Sequence, residues 1–485
     1  MKGLSHYICI SAIIIALCCS CSEFDEDYSM SKSDLLTLPC DTLNLDTLIS
    51  SEGSRTYHFT IYNKQSKGIT IKTISLREKE NSAFRINVNG YYINESEEQN
   101  IRVRSKDSIK IWIEATPLKT GKTAPQQVTD CLTFNLESGA VQQMYINAWG
   151  QDMITLNNVV FQADTTLTDS FPYHVYGDMT IAEGATLTIN PGCSFYFHDN
   201  ANLIVAGKII SKGIQNREIV FRGDRLDKMF TEQSYDLIPG RWGGIHILSS
   251  SYGNVFEYCD IHSGSYGIKC DSSDIDIEKL KIENSVIHNV QGDGLNFTNC
   301  QSFIGNSQIT NSQGNTVTLY GGSSTFVHCT IANFYPFVGK TGKTLYLYNS
   351  KNAKPFPMEK ADFLNCIVTG SSDDEIFCYF LADETVASNY FFRNCLLTVD
   401  SVIDEKHFQQ IIWDCPTNKT WGSSNFKKFN TAKLTFDFRL DSMSNAIGKG
   451  DISVTEKYYP LDKNGVNRLS DNHSDMGCYE FVPTN

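Results

Sequence analysis

The chain has 485 residues, long enough for two or three domains and a large core, with 41% hydrophobic residues as material. Lys plus Arg number 41 against 55 Asp plus Glu, a formal net charge of -14, which excludes the basic face that a nucleic-acid partner needs for counterion release. An acidic surface serves solubility and could host calcium, while 23 Tyr, 28 Phe and only 12 Pro favour strands and turns over helices.

At the start, Met1-Lys2 and the apolar run Tyr7 to Leu17 have the form of a secretory signal, too short to span a bilayer stably. The run ends in LCCSCSEFDED, Leu17 to Asp27. This stretch resembles a bacterial lipobox, in which cleavage precedes a cysteine that carries lipid. Cys21, preceded by the small Ser20, is the expected lipidation site, with Cys19 the alternative. The acidic residues that follow are similar to a tag that takes some bacterial lipoproteins to the outside of the outer membrane. The expected order is a lipoprotein signal peptide over 1–21 and an acidic linker over 22–40. Twelve cysteines remain beyond Cys21. Several recur at one place in a strand motif, which points to buried free thiols rather than a disulfide framework.

Over 41–152 the phrases RTYHFTIYN, GITIKTISL, AFRINVNG, DSIKIWIEA, DCLTFNL and VQQMYINAWG alternate apolar and polar residues and are separated by turns. Six or seven such strands predict an antiparallel β-sandwich. The order of phrases resembles immunoglobulin-like modules of the ASPM/SPD-2/Hydin type, which act as spacers or docking domains and imply no chemistry. A connector is expected over 153–176.

From Gly177 the strands become very short and each is followed by Gly, Asn or Asp. ENSVIHN at Glu283 returns as GNSQITN, VHCTIAN, FLNCIVTG and RNCLLTV. Ser285, Ser307 and Cys329 succeed one another at one circuit of a parallel β-helix, so each copy should lie above the last. Ser285, Ser307, Cys329, Cys366 and Cys395 then form an inward column beside Ile287, Ile309, Ile331, Val368 and Leu397. Asn284, Asn306, Asn365 and Asn394 precede the column and could stack their amides, with His328 and Tyr258 as substitutes. The helix is expected over 177–425, and its end and cap over 426–485.

Three phrases, GDMTIAEGATLTINPGCSFYF, IPGRWGGIHI and the N-S/C-x-I rungs, resemble the right-handed parallel β-helix superfamily with the pectin-lyase fold. The closing Asp475-x-Gly477-x-x-Glu480 is similar to the ending of secreted bacterial β-helix repeat proteins. The expected fold class is therefore all-β, a sandwich followed by a right-handed parallel β-helix. The resemblance implies either a polysaccharide lyase or glycoside hydrolase, or a surface protein without a reaction. A hydrolase needs paired carboxyls and a lyase needs a base near carboxylate-held calcium. Asp271, Asp274 and Asp276, with Lys279 or Lys281, are the candidate catalytic residues, although the stretch reads as a solvated turn. The ten histidines show no metal-ligand spacing, so no metal site and no cofactor are expected, calcium apart. Tyr335, Phe337 and Tyr346 are the candidate ligand-binding residues, because exposed aromatic rings hold the apolar faces of sugars. The partners expected are extracellular polysaccharide or a surface protein, with the outer membrane reached through the lipid, and the leading function is non-catalytic binding.

Overall fold

A computed structural model describes residues 27–93, 98–230, 232–337, 339–401 and 404–483. Cys19, Cys21 and the signal run lie outside them. The chain divides into two compact units, Met1–Gln151 and Asp152–Asn485.

In the first unit, alternation sets the architecture. Along Ser108–Ala115 the residues Ile109, Ile111 and Ile113 turn inward while Ser108 and Lys110 face water. This strand pairs antiparallel with Tyr57–Tyr62 and Phe84–Val88, and Tyr91–Tyr92 completes a four-stranded sheet. The facing sheet has five strands, with Gln126–Leu136 between Ile69–Leu76 and Val141–Gln151. Its edge strand Thr42–Ile49 runs parallel to Val141–Gln151. Ile71, Phe134, Met144 and Ile146 of one sheet meet Phe59, Ile61 and Ile111 of the other in a single core. The linker expected over 22–40 is corrected for its described part: Leu36 is buried in this core, and its backbone exchanges two hydrogen bonds with the Gln142 amide.

In the second unit three parallel sheets wind around one core. The first has eleven strands, from Ile154–Asn157 to Ile412–Trp413; the second has nine, from Val160–Phe161 to Ile376–Tyr379; the third has ten, from Thr165–Leu167 to Phe408–Gln409. At about 4.8 Å per rung the first sheet extends about 50 Å. The coil starts at Ile154, so the connector expected over 153–176 is instead the first winding, paired residue for residue with Tyr173–Tyr176.

Like residues are in register. Ile261, Ile287, Ile309, Ile331, Val368 and Leu397 pair in succession on the first sheet, all fully buried. Lower down the same column is aromatic: Tyr173, Phe195 and Phe221 stack with centroids 5.0 and 5.1 Å apart. Beside the aliphatic run lies the small column Cys259, Ser285, Ser307, Cys329, Cys366 and Cys395. There, the Cys259 amide donates to Ser285 Oγ (3.0 Å) and the Ser285 amide to Ser307 Oγ (3.1 Å), so each hydroxyl ties its rung to the one before. All twelve described cysteines are free thiols.

The corner before each of these rungs needs a left-handed residue. Asn284, Asn306, Asn365 and Asn394 have φ of 51°, 51°, 54° and 49°, and Tyr258 and His328 occupy the same corner at 46° and 50°. Asn tolerates this conformation better than most residues, which gives the ladder a backbone reason as well as an amide one. Asn306 Nδ2 donates to Asn284 Oδ1 (2.8 Å), and Asn365 Nδ2 to His328 Nε2 (3.0 Å).

The cap expected over 426–485 is also corrected. The hairpin Phe426–Asn430 and Thr435–Leu440 lies on the outer side of the first sheet, where Phe426, Phe438 and Leu440 cover Ala332, Ile367 and Leu396. The following segment runs back along the asparagine corner. Lys449 O accepts from Asn394, Asp451 O from Asn365, and Leu461 O from Asn306, while Tyr459 Oη donates to Glu283. The closing phrase belongs to this strap: Asp475 accepts from the Gly448 and Phe481 amides, and Glu480 accepts from buried Arg468, whose other nitrogen reaches Asn306 Oδ1 (2.8 Å). Gly477 is needed because φ is +89° and a Cβ would meet Thr330 Oγ1 at 2.7 Å. Among the described residues no helix is long and apolar enough to cross a membrane.

Candidate functional site

Two outward faces of the coil carry chemistry. The first lies on the second sheet, where VTLY (Val317–Tyr320) and LYLY (Leu345–Tyr348) alternate inward aliphatic residues with outward ones, and IFCY (Ile376–Tyr379) ends the sheet with Ile376 buried and Cys378 exposed. Register then aligns Thr298, Tyr320, Tyr348 and Tyr379 in one outward column, and Lys269, Asn296, Thr318, Tyr346 and Phe377 in the next. Tyr320 and Tyr348 stack at 5.2 Å, Tyr346 and Tyr348 at 5.6 Å, and Tyr346 meets Phe377 at 5.1 Å. Stacking hides the ring faces in the middle of this ladder. At its last rung Phe377 and Tyr379 remain 40% and 54% exposed. Burial, with the neighbouring Tyr346, Tyr320 and Asp293, pushes the Tyr348 phenol up to about 12, so it stays a neutral donor.

Polar groups border the rings. Asp293 accepts from Asn296 Nδ2 and Thr318 Oγ1, both at 2.8 Å. Lys351, from the hairpin at 350–355, sits 4.5 Å above the Tyr320 ring and donates to Thr298 Oγ1. Of the three ring residues expected from sequence, Tyr346 belongs to this face. Tyr335 and Phe337 form a separate pair, 5.5 Å apart, on the excursion between the first and second sheets.

The second face is on the first sheet. Asp260, His262 and His288 project outward from adjacent rungs, with His262 paired to His288 and their rings 4.8 Å apart. Asp260 Oδ1 lies 2.8 Å from His262 Nδ1 and 3.2 Å from His288 Nε2. The excursion between Gly223 and Gly244 brings in Asp236, whose carboxylate is 2.8 Å from Arg222 and 3.6 Å from His262 Nε2. Trp242 Nε1 donates to His262 O (2.7 Å) and fixes the rung. Burial alone would lower the His262 pKa, but Asp260 and Asp236 outweigh it and raise it to about 9. Burial alone would likewise raise Asp260, yet His262 and His288 hold it well below the carboxylate range.

Asp271, Asp274 and Asp276 do not form a site of this kind. Asp271 pairs with His246 (3.0 Å), Asp274 accepts from the Asp276 amide to close a turn, and Asp276 is exposed. Lys279 is fully buried, with Nζ donating to Leu248 O and Ser251 O, and Lys281 pairs with Glu283. Among the described residues, two groups of three His and carboxylate side chains bring their ligand atoms within 4.8 Å of one another: Asp260 with His262 and His288, and His174 with His198 and Asp224. The absence of a histidine pattern expected from sequence is thereby corrected. The signal was present: laying CDIH (Cys259–His262) over SVIH (Ser285–His288) puts both imidazoles in one column.

Comparison with known proteins bears on the coil. The family described as "Right handed beta helix region" matches residues 145–333 and 243–407, overlapping spans that together take in more than half of the chain. The chain belongs to the right-handed β-helix family. No curated protein matches. Among solved structures, the chain is similar to the ASH / PapD-like domain of human CEP192, at 9% identity and a TM-score of 0.18, over 27% of this chain and 96% of that one. It is also similar to a family 123 glycoside hydrolase from Clostridium perfringens, described for glycolipid glycan hydrolysis, at 10% identity and a TM-score of 0.17. That likeness covers 24% of this chain and 26% of the hydrolase. At such scores neither bears on fold or activity.

Proposed function

We propose that the chain is a lipid-anchored surface protein of the bacterial outer membrane, joined to lipid at Cys21, whose β-helix binds extracellular glycan without catalysis. The observation that carries the binding part is the outward aromatic ladder ending in exposed Phe377 and Tyr379, with Asp293 and Asn296 beside its other end at Tyr320 and Tyr346. Rings cover the C–H faces of a sugar, and the Asp293 carboxylate and Asn296 amide further along the ladder meet hydroxyls of a neighbouring unit. The lipid and the outward destination are supported by the LCCSCSEFDED stretch alone. The test is a glycan-array screen followed by affinity electrophoresis of the wild type and the Phe377→Ala/Tyr379→Ala double variant. Retarded migration of the wild type, weakened about tenfold or more in the variant, supports the reading; equal retardation of both, or none with any glycan, refutes it. For the anchor, incorporation of a labelled fatty acid that Cys21→Ser fails to abolish assigns the lipid elsewhere.

A second reading, a polysaccharide lyase or glycoside hydrolase, is favoured by one observation: Arg222, Asp236, Asp260, His262 and His288 converge on one outward face. Release of unsaturated or reducing ends from uronic-acid polymers, with and without calcium, decides it.

A further inference from the structure

We propose that Asp260, His262 and His288 form a binding site for a divalent transition-metal ion, of which Zn²⁺ is the natural probe. The site is separate from the aromatic ladder and from the glycan proposed to bind there. Three observations carry it. First, the donors converge: His262 presents Nδ1 and His288 presents Nε2 to the same carboxylate oxygen, from rungs that pair in register. Two imidazole nitrogens and one carboxylate oxygen are a donor set for borderline ions, whereas calcium takes six or more oxygens. Asp260 keeps 36% of its side chain exposed, which leaves an approach for the ion and room for water as a fourth ligand.

Second, His262 is backed by an outer carboxylate. Its Nε2 is buried and makes no hydrogen bond, yet it lies 3.6 Å from Asp236 Oδ2. A small approach would make Nε2–H···Asp236 the bond that fixes the tautomer and leaves the Nδ1 lone pair for a metal. Asp236 is itself held by Arg222 and Ser234, so the backing group is anchored before any ion arrives. Third, the charges suit a dication. With both imidazoles neutral, Asp260 and Asp236 against Arg222 leave one net negative charge. The 2.8 Å contact between His262 Nδ1 and Asp260 Oδ1 is the one that binding of an ion would replace.

Chelator-treated full chain is titrated with ZnCl₂ by calorimetry, alongside His288→Ala, Asp236→Asn and, as a comparison at the other trio, His198→Ala. The proposal expects His288→Ala to lose one binding event that His198→Ala retains. It expects Asp236→Asn to keep that event with affinity weakened about 10–100-fold, because it removes an orienting group and not a ligand. A wild type that binds no Zn²⁺, or a His288→Ala stoichiometry equal to wild type, overturns it. Should the variants fail to fold, wild-type crystals soaked in ZnCl₂ decide: an anomalous peak among the three side chains upholds the site, and its absence at saturating zinc overturns it.

Discussion

The corner residue Asn306 offers a measurement that separates backbone from side chain. Replacing it with Ala removes three hydrogen bonds: to Asn284 Oδ1 (2.8 Å), to Leu461 O (3.2 Å) and from Arg468 (2.8 Å). The first two are worth about 1 kcal/mol each and the third, to a buried guanidinium, about 2 kcal/mol. Alanine must also hold φ near +51°, at about 1 kcal/mol or more. Asn306→Ala should therefore cost about 5 kcal/mol. Asn306→Gly loses the same hydrogen bonds but is free to adopt the left-handed corner, and should cost about 1 kcal/mol less. Urea denaturation followed by intrinsic fluorescence gives both midpoints, with an unchanged slope as the condition for converting them. If Ala and Gly are equally destabilising, the corner does not strain a Cβ. If both fall within about 0.5 kcal/mol of wild type, the ladder and the strap that grips it are not the source of stability argued above.

Gly477→Ala should destabilise by about 2–4 kcal/mol, since a Cβ would sit 2.7 Å from Thr330 Oγ1 and 2.8 Å from Ile367 Cδ1 at a φ of +89°; thermal melting checks it. Chelator-treated protein should lose stability as pH rises. The folded pKa of His262, about 9 against an ordinary 6.5, means that folding favours its protonated form, so the contribution is complete below pH 6.5 and gone above about 9. It amounts to roughly 3 kcal/mol, and His262→Gln should flatten that limb of the stability profile, an unchanged slope counting against the Asp260–His262–Asp236 arrangement. Thiol labelling of native protein at alkaline pH, read by peptide mass, should reach exposed Cys378, whose thiol burial pushes up to about 12, while Cys259, Cys329, Cys366 and Cys395 react only on unfolding; early reaction at Cys329 would mean that the column is not sealed.

The middle of the coil was legible because its rungs are spelled alike. Ser285, Ser307 and Cys329 are small in the same place, and the residues two steps on are all Ile. The windings below them do the same work with other letters. Tyr173, Phe195 and Phe221 fill the Ile column with stacked rings, so the first turn at 154–176 carries no textual likeness to the later ones. The aromatic face was half legible: Tyr346 and Tyr348 alternate within one strand, but their union with Tyr320 and Phe377 depends on register across excursions of unequal length. The pairing of His262 with His288 was readable from the repeat. Asp236 was not, because an excursion outside the repeat carries it there. The strap was hidden for a similar reason, since Arg468 and Asn306 meet across 162 positions of chain.

In a stack whose members touch only the next one up or down, each end is free to peel, and damage at one rung need not be felt at another. The segment from Lys449 to Glu480 changes that mechanics. By holding Asn394, Asn365, His328, Asn306 and Glu283 at once, it acts as a splint across windings that otherwise have no common neighbour. Peeling must then break the splint before it can spread, so pulling on the coil should give one tall rupture in place of a staircase of small ones.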